Sequence, residues 1–204
     1  MPRVGILGGA FNPPHLGHLV CAQEAFAQLG LERVVLMPVG QAPHRTLEGD
    51  PGANARLEMA ELAIAGDERL ATSRMELDRE GPSYTSETLR LLREHAPGDE
   101  PVLILGGDQA ASLPSWHEPE SVLALAEVAV VERVSWSRQA VAERLAGLPG
   151  GDRLKFVDMP LLEISSSDVR RRVAEGRPVR YLVPDAVGGY IDAHGLYASG
   201  VALR

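Results

Sequence analysis

The chain has 204 residues, of which 45% are hydrophobic and 24% charged. This is ordinary globular composition, and it excludes a disordered tail, a collagen-like fibre and a coiled coil. Twenty Lys and Arg against 28 Asp and Glu leave a net charge of −8, which argues against a general nucleic-acid or membrane-surface binder.

Lys155 is the only lysine, so nineteen of the basic residues are arginine. Arginine suits a bidentate grip on phosphate or carboxylate, although genome composition alone produces the same bias. The single cysteine, Cys21, cannot form an internal disulfide and favours a reducing compartment. No stretch approaches the roughly 18 apolar residues of a membrane span. Met1 to Leu7 lacks the apolar core and cleavage site of a signal peptide. A soluble, cytoplasmic protein is expected.

Val4 to Leu7 followed by Gly8-Gly9 reads as a buried strand entering a tight turn. From about Gly17, the residues Leu19, Val20, Ala22, Phe26 and Leu29 keep helical spacing, and Gly30 closes the segment. Val34 to Met37 is a second strand, stopped by Pro38. The region from Val39 to Ala53 has no periodicity and reads as a long loop, a feature often functional inside a domain. Helices are predicted over Arg56 to Ala65 and Tyr84 to His95, then a strand over Val102 to Leu105, ending at Gly106-Gly107. Val128 to Val131 is a strand, Ser137 to Leu145 a helix, and Leu154 to Val157 a short strand. Ser165 to Glu175 and Asp185 to Ala193 are the last helices. Alternating helices and continuous apolar strands predict an α/β fold: a Rossmann-like, doubly wound parallel sheet with helices on both faces and a small C-terminal helical segment. No linker divides the chain, so residues 1–204 read as one domain, completed by the segment from about residue 160.

The first chemical signal is Gly8-Gly9-Ala10-Phe11-Asn12-Pro13-Pro14-His15-Leu16-Gly17-His18, between the first strand and first helix. Open sheets of this type bind ligands at the carboxyl ends of their strands. The glycines let backbone approach a phosphate, and the helix start offers unpaired N–H groups with a favourable dipole. His15 and His18, three residues apart, can share one side of the helix and stabilise charge on phosphate oxygens. A plain turn with structural histidines is the simpler alternative. A metal pair lacks companion Cys or carboxylate ligands at suitable spacing. The segment is neither a Gly-x-Gly-x-x-Gly fingerprint nor a P-loop, which disfavours NAD(P) dehydrogenases and Walker-type NTPases.

The second signal is Ile164-Ser165-Ser166-Ser167-Asp168-Val169-Arg170-Arg171-Arg172. Ser165 with Asp168 fits a capping box, but capping does not account for three serines followed by three arginines. Hydroxyls and free N–H groups at the helix start, with Arg170 one turn on, make a second phosphate site. Only some of the three arginines can face it.

These two motifs together resemble the nucleotidyltransferase superfamily with its (His/Thr)-x-Gly-His loop. The chain is similar over nearly its whole length to the bacterial nicotinate mononucleotide adenylyltransferases. Supporting stretches are Met37-Pro38 through Ala42-Pro43-His44-Arg45, then Arg79-Glu80-Gly81-Pro82-Ser83-Tyr84-Thr85 and Ile104-Leu105-Gly106-Gly107-Asp108. Leu113-Pro114-Ser115-Trp116, Tyr181-Leu182-Val183-Pro184 and Gly195-Leu196-Tyr197 complete the series.

The resemblance implies a reaction of ATP with nicotinate mononucleotide, giving deamido-NAD and pyrophosphate. Mg2+ would be bound mainly through the ATP phosphates. Such direct phosphoryl chemistry needs alignment and charge neutralisation more than a nucleophilic side chain. Carried over residue by residue, His15, His18 and Arg170 would be catalytic. Gly8, Gly9, Ala10, Phe11, Ser165 and Ser166 would bind ATP with them. His44, Arg45, Thr85, Asp108 and Trp116 would hold the mononucleotide, with Trp116 stacking on the pyridine ring and Thr85 meeting its carboxylate. Asp108 would hold a ribose or position nearby groups. Taken alone, Trp116 reads as a partly buried core residue, Tyr84 and Thr85 as a helix start, and His44 and Arg45 as a solvated loop. No nucleic acid or membrane partner is implied, and a homo-oligomer stays open.

The sequence departs from the family's usual pattern at Ala10, Asn12, Val39, Gly107 and His117. Val39 puts a side-chain contact to substrate at that position in doubt. Alternatives are a relative that prefers the amide mononucleotide or a phosphopantetheine-like acceptor, and a nucleotide-sensing module without turnover.

Overall fold

The computed structural model describes residues 1–43, 46–131 and 136–198. Six parallel strands form one sheet: β1 (Arg3–Gly9), β2 (Arg33–Pro38), β3 (Leu70–Thr72), β4 (Glu100–Gly106), β5 (Glu127–Val131) and β6 (Lys155–Val157). Their spatial order is β3-β2-β1-β4-β5-β6, the doubly wound arrangement whose direction of winding reverses between β1 and β4. The helices are α1 (Leu16–Leu29), α2 (Ala53–Ile64), α3 (Thr85–His95), α4 (Gly107–Ser112), α5 (Pro119–Leu125), α6 (Arg138–Leu145), α7 (Ser166–Ala174) and α8 (Asp185–Ala193).

Because side chains alternate across a strand, both faces of this sheet carry apolar residues. Ile6, Leu103, Leu105, Val128 and Val130 pack with Leu89 of α3, Ala110 of α4, Val122 of α5 and Val141 of α6. Their neighbours Leu7, Val102, Ile104, Ala129 and Val131 face Ala22 and Ala25 of α1. Helices thus cover both faces, as expected. A third cluster joins Met59 of α2 to Val169 of α7 and Val187 and Ile191 of α8. That cluster fixes the C-terminal helices beside the start of α1, where Leu16 N–H donates to the Leu182 carbonyl at 2.9 Å.

The helix boundaries follow local chemistry. Gly30 terminates α1 in the left-handed conformation, with φ 61°. Ser165 caps α7, its Oγ accepting the Asp168 N–H at 3.1 Å. Asp168 does not complete a reciprocal box; its carboxylate pairs with Arg171.

Four elements were not anticipated, among them a single 3-10 turn at Leu113–Ser115. β3 is three half-buried residues defined by pairing with Val34–Leu36 rather than by a hydrophobic run. α4 is six residues long and buries Gly107, Ala110 and Ala111. α5 follows Glu118, a residue in the left-handed region at φ 49°, and begins on Pro119. Short elements carry too little periodicity to register in sequence.

Candidate functional site

Two adjoining cavities open at the carboxyl ends of the strands. The larger, about 480 Å³, sits at the β1/β4 reversal, the position at which such sheets bind ligands. It is lined by Leu7 to Asn12 at the end of β1 and just beyond it, by His15 and His18 of the α1 start, by Asp108 and Gln109 after β4, and by Ser165 to Ser167 and Arg170 at the start of α7. The second, about 300 Å³, is bounded by Val39, Glu76, Ser83, Tyr84, Thr85, Trp116 and His117. Gly8, Gly9, Ala10 and Gln109 line both.

In the larger cavity the histidines are fixed by their own backbone. His15, only 3% exposed, stands at the N-cap of α1, and its N–H donates to His18 Nδ1 at 3.1 Å. Because Nδ1 accepts, the neutral ring carries its proton on Nε2. The two rings lie 3.7 Å apart, with Phe11 edge-on to His18 at 5.1 Å. Gly17 lies against this tilted pair: a Cβ there would come within 3.0–3.1 Å of the His15 ring, which would have to shift to admit it.

At α7, hydrogen bonding refines the expected roles of the serines. Ser165 Oγ is engaged in capping, and Ser166 Oγ donates to the Pro13 carbonyl at 2.8 Å. Accepting in the cap leaves the Ser165 O–H able to donate, so α7 offers the cavity that hydroxyl and the N–H groups of Ser166 and Ser167, which have no intrahelical acceptors. Arg170 is anchored by NH1 to the Asn12 carbonyl at 2.8 Å and by NH2 to Ser167 Oγ at 3.3 Å. Arg171 turns to Asp168, and Arg172 Nε donates to the Pro178 carbonyl at 3.1 Å. Of the three consecutive arginines, only Arg170 lines the cavity.

In the second cavity, Trp116 is half-buried, packs against the core and donates Nε1–H to Ser112 Oγ at 2.9 Å. One placement thus packs Trp116 against the core and puts it in the cavity lining. Thr85 opens α3 directly after Tyr84, and Tyr84 stacks on His117 with centroids 4.2 Å apart. Val39 presents an apolar side chain, while its N–H donates to the Gly9 carbonyl at 2.8 Å. Glu76 is largely desolvated, which pushes its carboxyl up, against hydrogen bonds from Thr88 and Ser83 and the charge of Arg79. Thr88 Oγ1 donates to Glu76 at 2.8 Å. Gly40 permits this close packing, since a Cβ there would stand 2.2 Å from the Glu76 carbonyl oxygen.

The structure brings His15, His18, Gly8 to Phe11, Ser165, Ser166 and Arg170 together in one cavity, and Thr85 and Trp116 in the other. Asp108, expected to bind the mononucleotide, lines the larger cavity, in the first turn of α4 directly after β4. His44 and Arg45 lie outside the described residues.

Three further residues were not found in the sequence. Gln109 reaches both cavities, and its place just after a strand's carboxyl end was the available clue. Ser167 was noted only as part of the serine run. Arg56 gave no signal: it is 1% exposed, donates to the Ala10 and Val39 carbonyls at 3.1 and 2.8 Å, and pairs with Asp50 at 2.9 Å. It thereby bonds the wall shared by the cavities to the end of β2. Among the described residues no group of three or more His, Cys, Asp or Glu could hold a metal ion. No described helix is long and apolar enough to cross a membrane.

A doubly wound sheet with a histidine- and arginine-lined anion cavity at its reversal point defines a nucleotide-handling protein. Residues 6–172 match the cytidylyltransferase-like family. A protein of Roseiflexus sp. (strain RS-1), named "Probable nicotinate-nucleotide adenylyltransferase", is 47% identical over 95% of this chain and 97% of its own. One of Thermomicrobium roseum with the same name is 41% identical over 100% of this chain and 95% of its own. The chain belongs to the cytidylyltransferase-like family and, within it, to the nicotinate-nucleotide adenylyltransferases. A solved Plasmodium falciparum nicotinic acid mononucleotide adenylyltransferase complexed with NaAD shares the fold, with a TM-score of 0.80 at 17% identity, covering 97% of this chain and 98% of that one.

Proposed function

We propose that this chain transfers the adenylyl group of ATP to nicotinate mononucleotide, forming deamido-NAD and pyrophosphate, with one substrate in each cavity. The observation that carries the reading is the shared wall. A cavity lined by histidines and an arginine and an aromatic one meet at Gly8, Gly9, Ala10 and Gln109, so ligands in the two would adjoin there.

The mononucleotide's 5′-phosphate oxygen attacks the α-phosphorus of ATP. The bond to the bridging oxygen breaks, and its electron pair leaves with pyrophosphate. No covalent enzyme intermediate is required, so the protein contributes alignment and charge stabilisation. His18 Nε2–H, with Nδ1 held by the His15 backbone, donates to oxygens that gain charge at the transition state. Arg170 and the first N–H groups of α7 receive the departing phosphates. Trp116 offers a face for the pyridine ring, and the start of α3 at Thr85 offers N–H and hydroxyl donors to its carboxylate.

Magnesium suits this cavity as an ion carried by the triphosphate. Asp108 is the acidic side chain on the strand-end wall, and magnesium is commonly held by one or two carboxylates plus substrate phosphates rather than by an all-protein cage. When bound it neutralises charge on the phosphate oxygens. The single cysteine supports a cytoplasmic setting.

The test is pyrophosphate release from ATP, magnesium and nicotinate mononucleotide, with the dinucleotide identified by mass. Release with formation of deamido-NAD is expected. No release above background would overturn the reading. Equal efficiency with the amide mononucleotide would overturn the role given to Thr85.

A further inference from the structure

Asn12 is 2% exposed, and each of its polar groups holds a different part of the molecule. Its Oδ1 accepts the Tyr197 hydroxyl at 2.7 Å, its Nδ2 donates to the Glu48 carbonyl at 2.9 Å, and its own carbonyl accepts Arg170 NH1 at 2.8 Å. The amide can face only one way, because the Glu48 carbonyl must receive an N–H, which leaves Oδ1 for the phenol. We propose that Asn12 and Tyr197 are positioning residues that set the Arg170 guanidinium in the larger cavity and hold the neighbouring 46–50 loop against it.

Further observations converge on this contact. Phe11, just before Asn12, has φ 48°, and Tyr197 has φ 62°. Side chains other than glycine rarely adopt such backbone, and it persists where surrounding contacts over-determine it. Tyr197 itself, and the residue that precedes Asn12, are held in this way. The loop backbone lies close to both partners: a Cβ on Gly49 would stand 3.5 Å from Arg170 Cδ and 3.9 Å from the Tyr197 ring. Thr46, Leu47 and Glu48 line the larger cavity, so this loop is part of its wall. Burial pushes the Tyr197 phenol well above its ordinary range, so its hydroxyl stays a hydrogen-bond donor into alkaline pH as well as at neutral pH. An arginine held on fixed acceptors keeps its fork in place and loses less freedom when it grips phosphate.

The inference rests on Arg170 serving the ATP phosphates, and the experiment separates the two. Tyr197→Phe keeps the ring and removes one hydroxyl. It is introduced into the wild type and into Arg170→Ala, and kcat and KM are measured for each substrate. Arg170→Ala alone tests the triphosphate reading, and an unchanged kcat/KM for ATP would overturn that reading. For the inference, Tyr197→Phe in the wild type is expected to lower kcat/KM for ATP about tenfold, the size of coupling typical of residues in one hydrogen-bond network. KM for the mononucleotide should not change. In the Arg170→Ala background the same substitution should have an effect below about twofold.

An equal loss in both backgrounds, or a loss shared by both substrates, would overturn the inference and make Tyr197 a structural residue. Asn12→Asp is the second variant should position 197 disturb folding. It keeps an acceptor for Tyr197 but faces the Glu48 carbonyl with oxygen. It too is expected to lower kcat/KM for ATP only when Arg170 is present, and a loss independent of Arg170 would count against the proposal.

Discussion

The larger cavity is built around two helix starts, the second largely from side chains scattered between Val39 and His117. In the first, much of the chemistry is local: backbone N–H groups, a histidine pair three residues apart and an arginine one turn from a cap. In the second, Glu76, Thr85, Trp116 and His117 approach one another only because α3 and the segment after α4 fold onto the same end of the sheet. The first is thus a site of local backbone geometry, the second one of tertiary packing. Substitutions should separate them.

The largest effect is expected at the bonded wall between them. Arg56→Met leaves the Ala10 and Val39 carbonyls without their donor and Asp50 without its partner. Asp50 can rehydrate in part, so we expect a loss of about 3 kcal/mol in denaturant unfolding. A loss below about 1 kcal/mol would show that the wall does not depend on this residue.

Next is His18→Ala, which acts on one cavity alone. It should lower kcat about a hundredfold, as removal of a transition-state donor does, and leave KM for the mononucleotide unchanged. Unchanged turnover would make His18 a structural residue.

The smallest effect belongs to the second cavity. Burial raises the Glu76 pKa in the folded protein above its unfolded value, so the folded state binds the proton more tightly. Stability therefore falls as pH rises through the window between the two values, and stays lower above it. Glu76→Gln should raise the thermal midpoint at pH 7, with the difference shrinking as pH falls toward about 4.3, the ordinary glutamate value. A difference independent of pH would exclude ionisation as its cause.

The same contrast explains what the sequence made legible. β1, α1 and α7 were readable because a glycine stop, a Ser cap and an apolar run are local signals. The pairing of His15 with His18 followed from helical spacing alone. Arg56 was not readable, since nothing in the run Arg56-Leu57-Glu58-Met59 marks an arginine that three distant groups will bury. Nor was the Asn12–Tyr197 bond, which joins residues 185 positions apart. The cavity that Asp108 lines was not readable either, since it depends on the turn into α4 directly after β4. The departures at Gly107 and His117 also acquire reasons only in three dimensions. A Cβ on Gly107 would lie 2.9 Å from Trp136 Cβ, and His117 stacks on Tyr84.

The division of substrates between the cavities is tested most directly by titrating ATP with magnesium, and nicotinate mononucleotide, separately into Trp116→Ala. Stacking of a base on an aromatic ring is worth about 1–3 kcal/mol, so mononucleotide affinity should fall about tenfold or more while ATP affinity stays within about twofold of wild type. Equal weakening of both ligands, or undiminished mononucleotide binding, would contradict it.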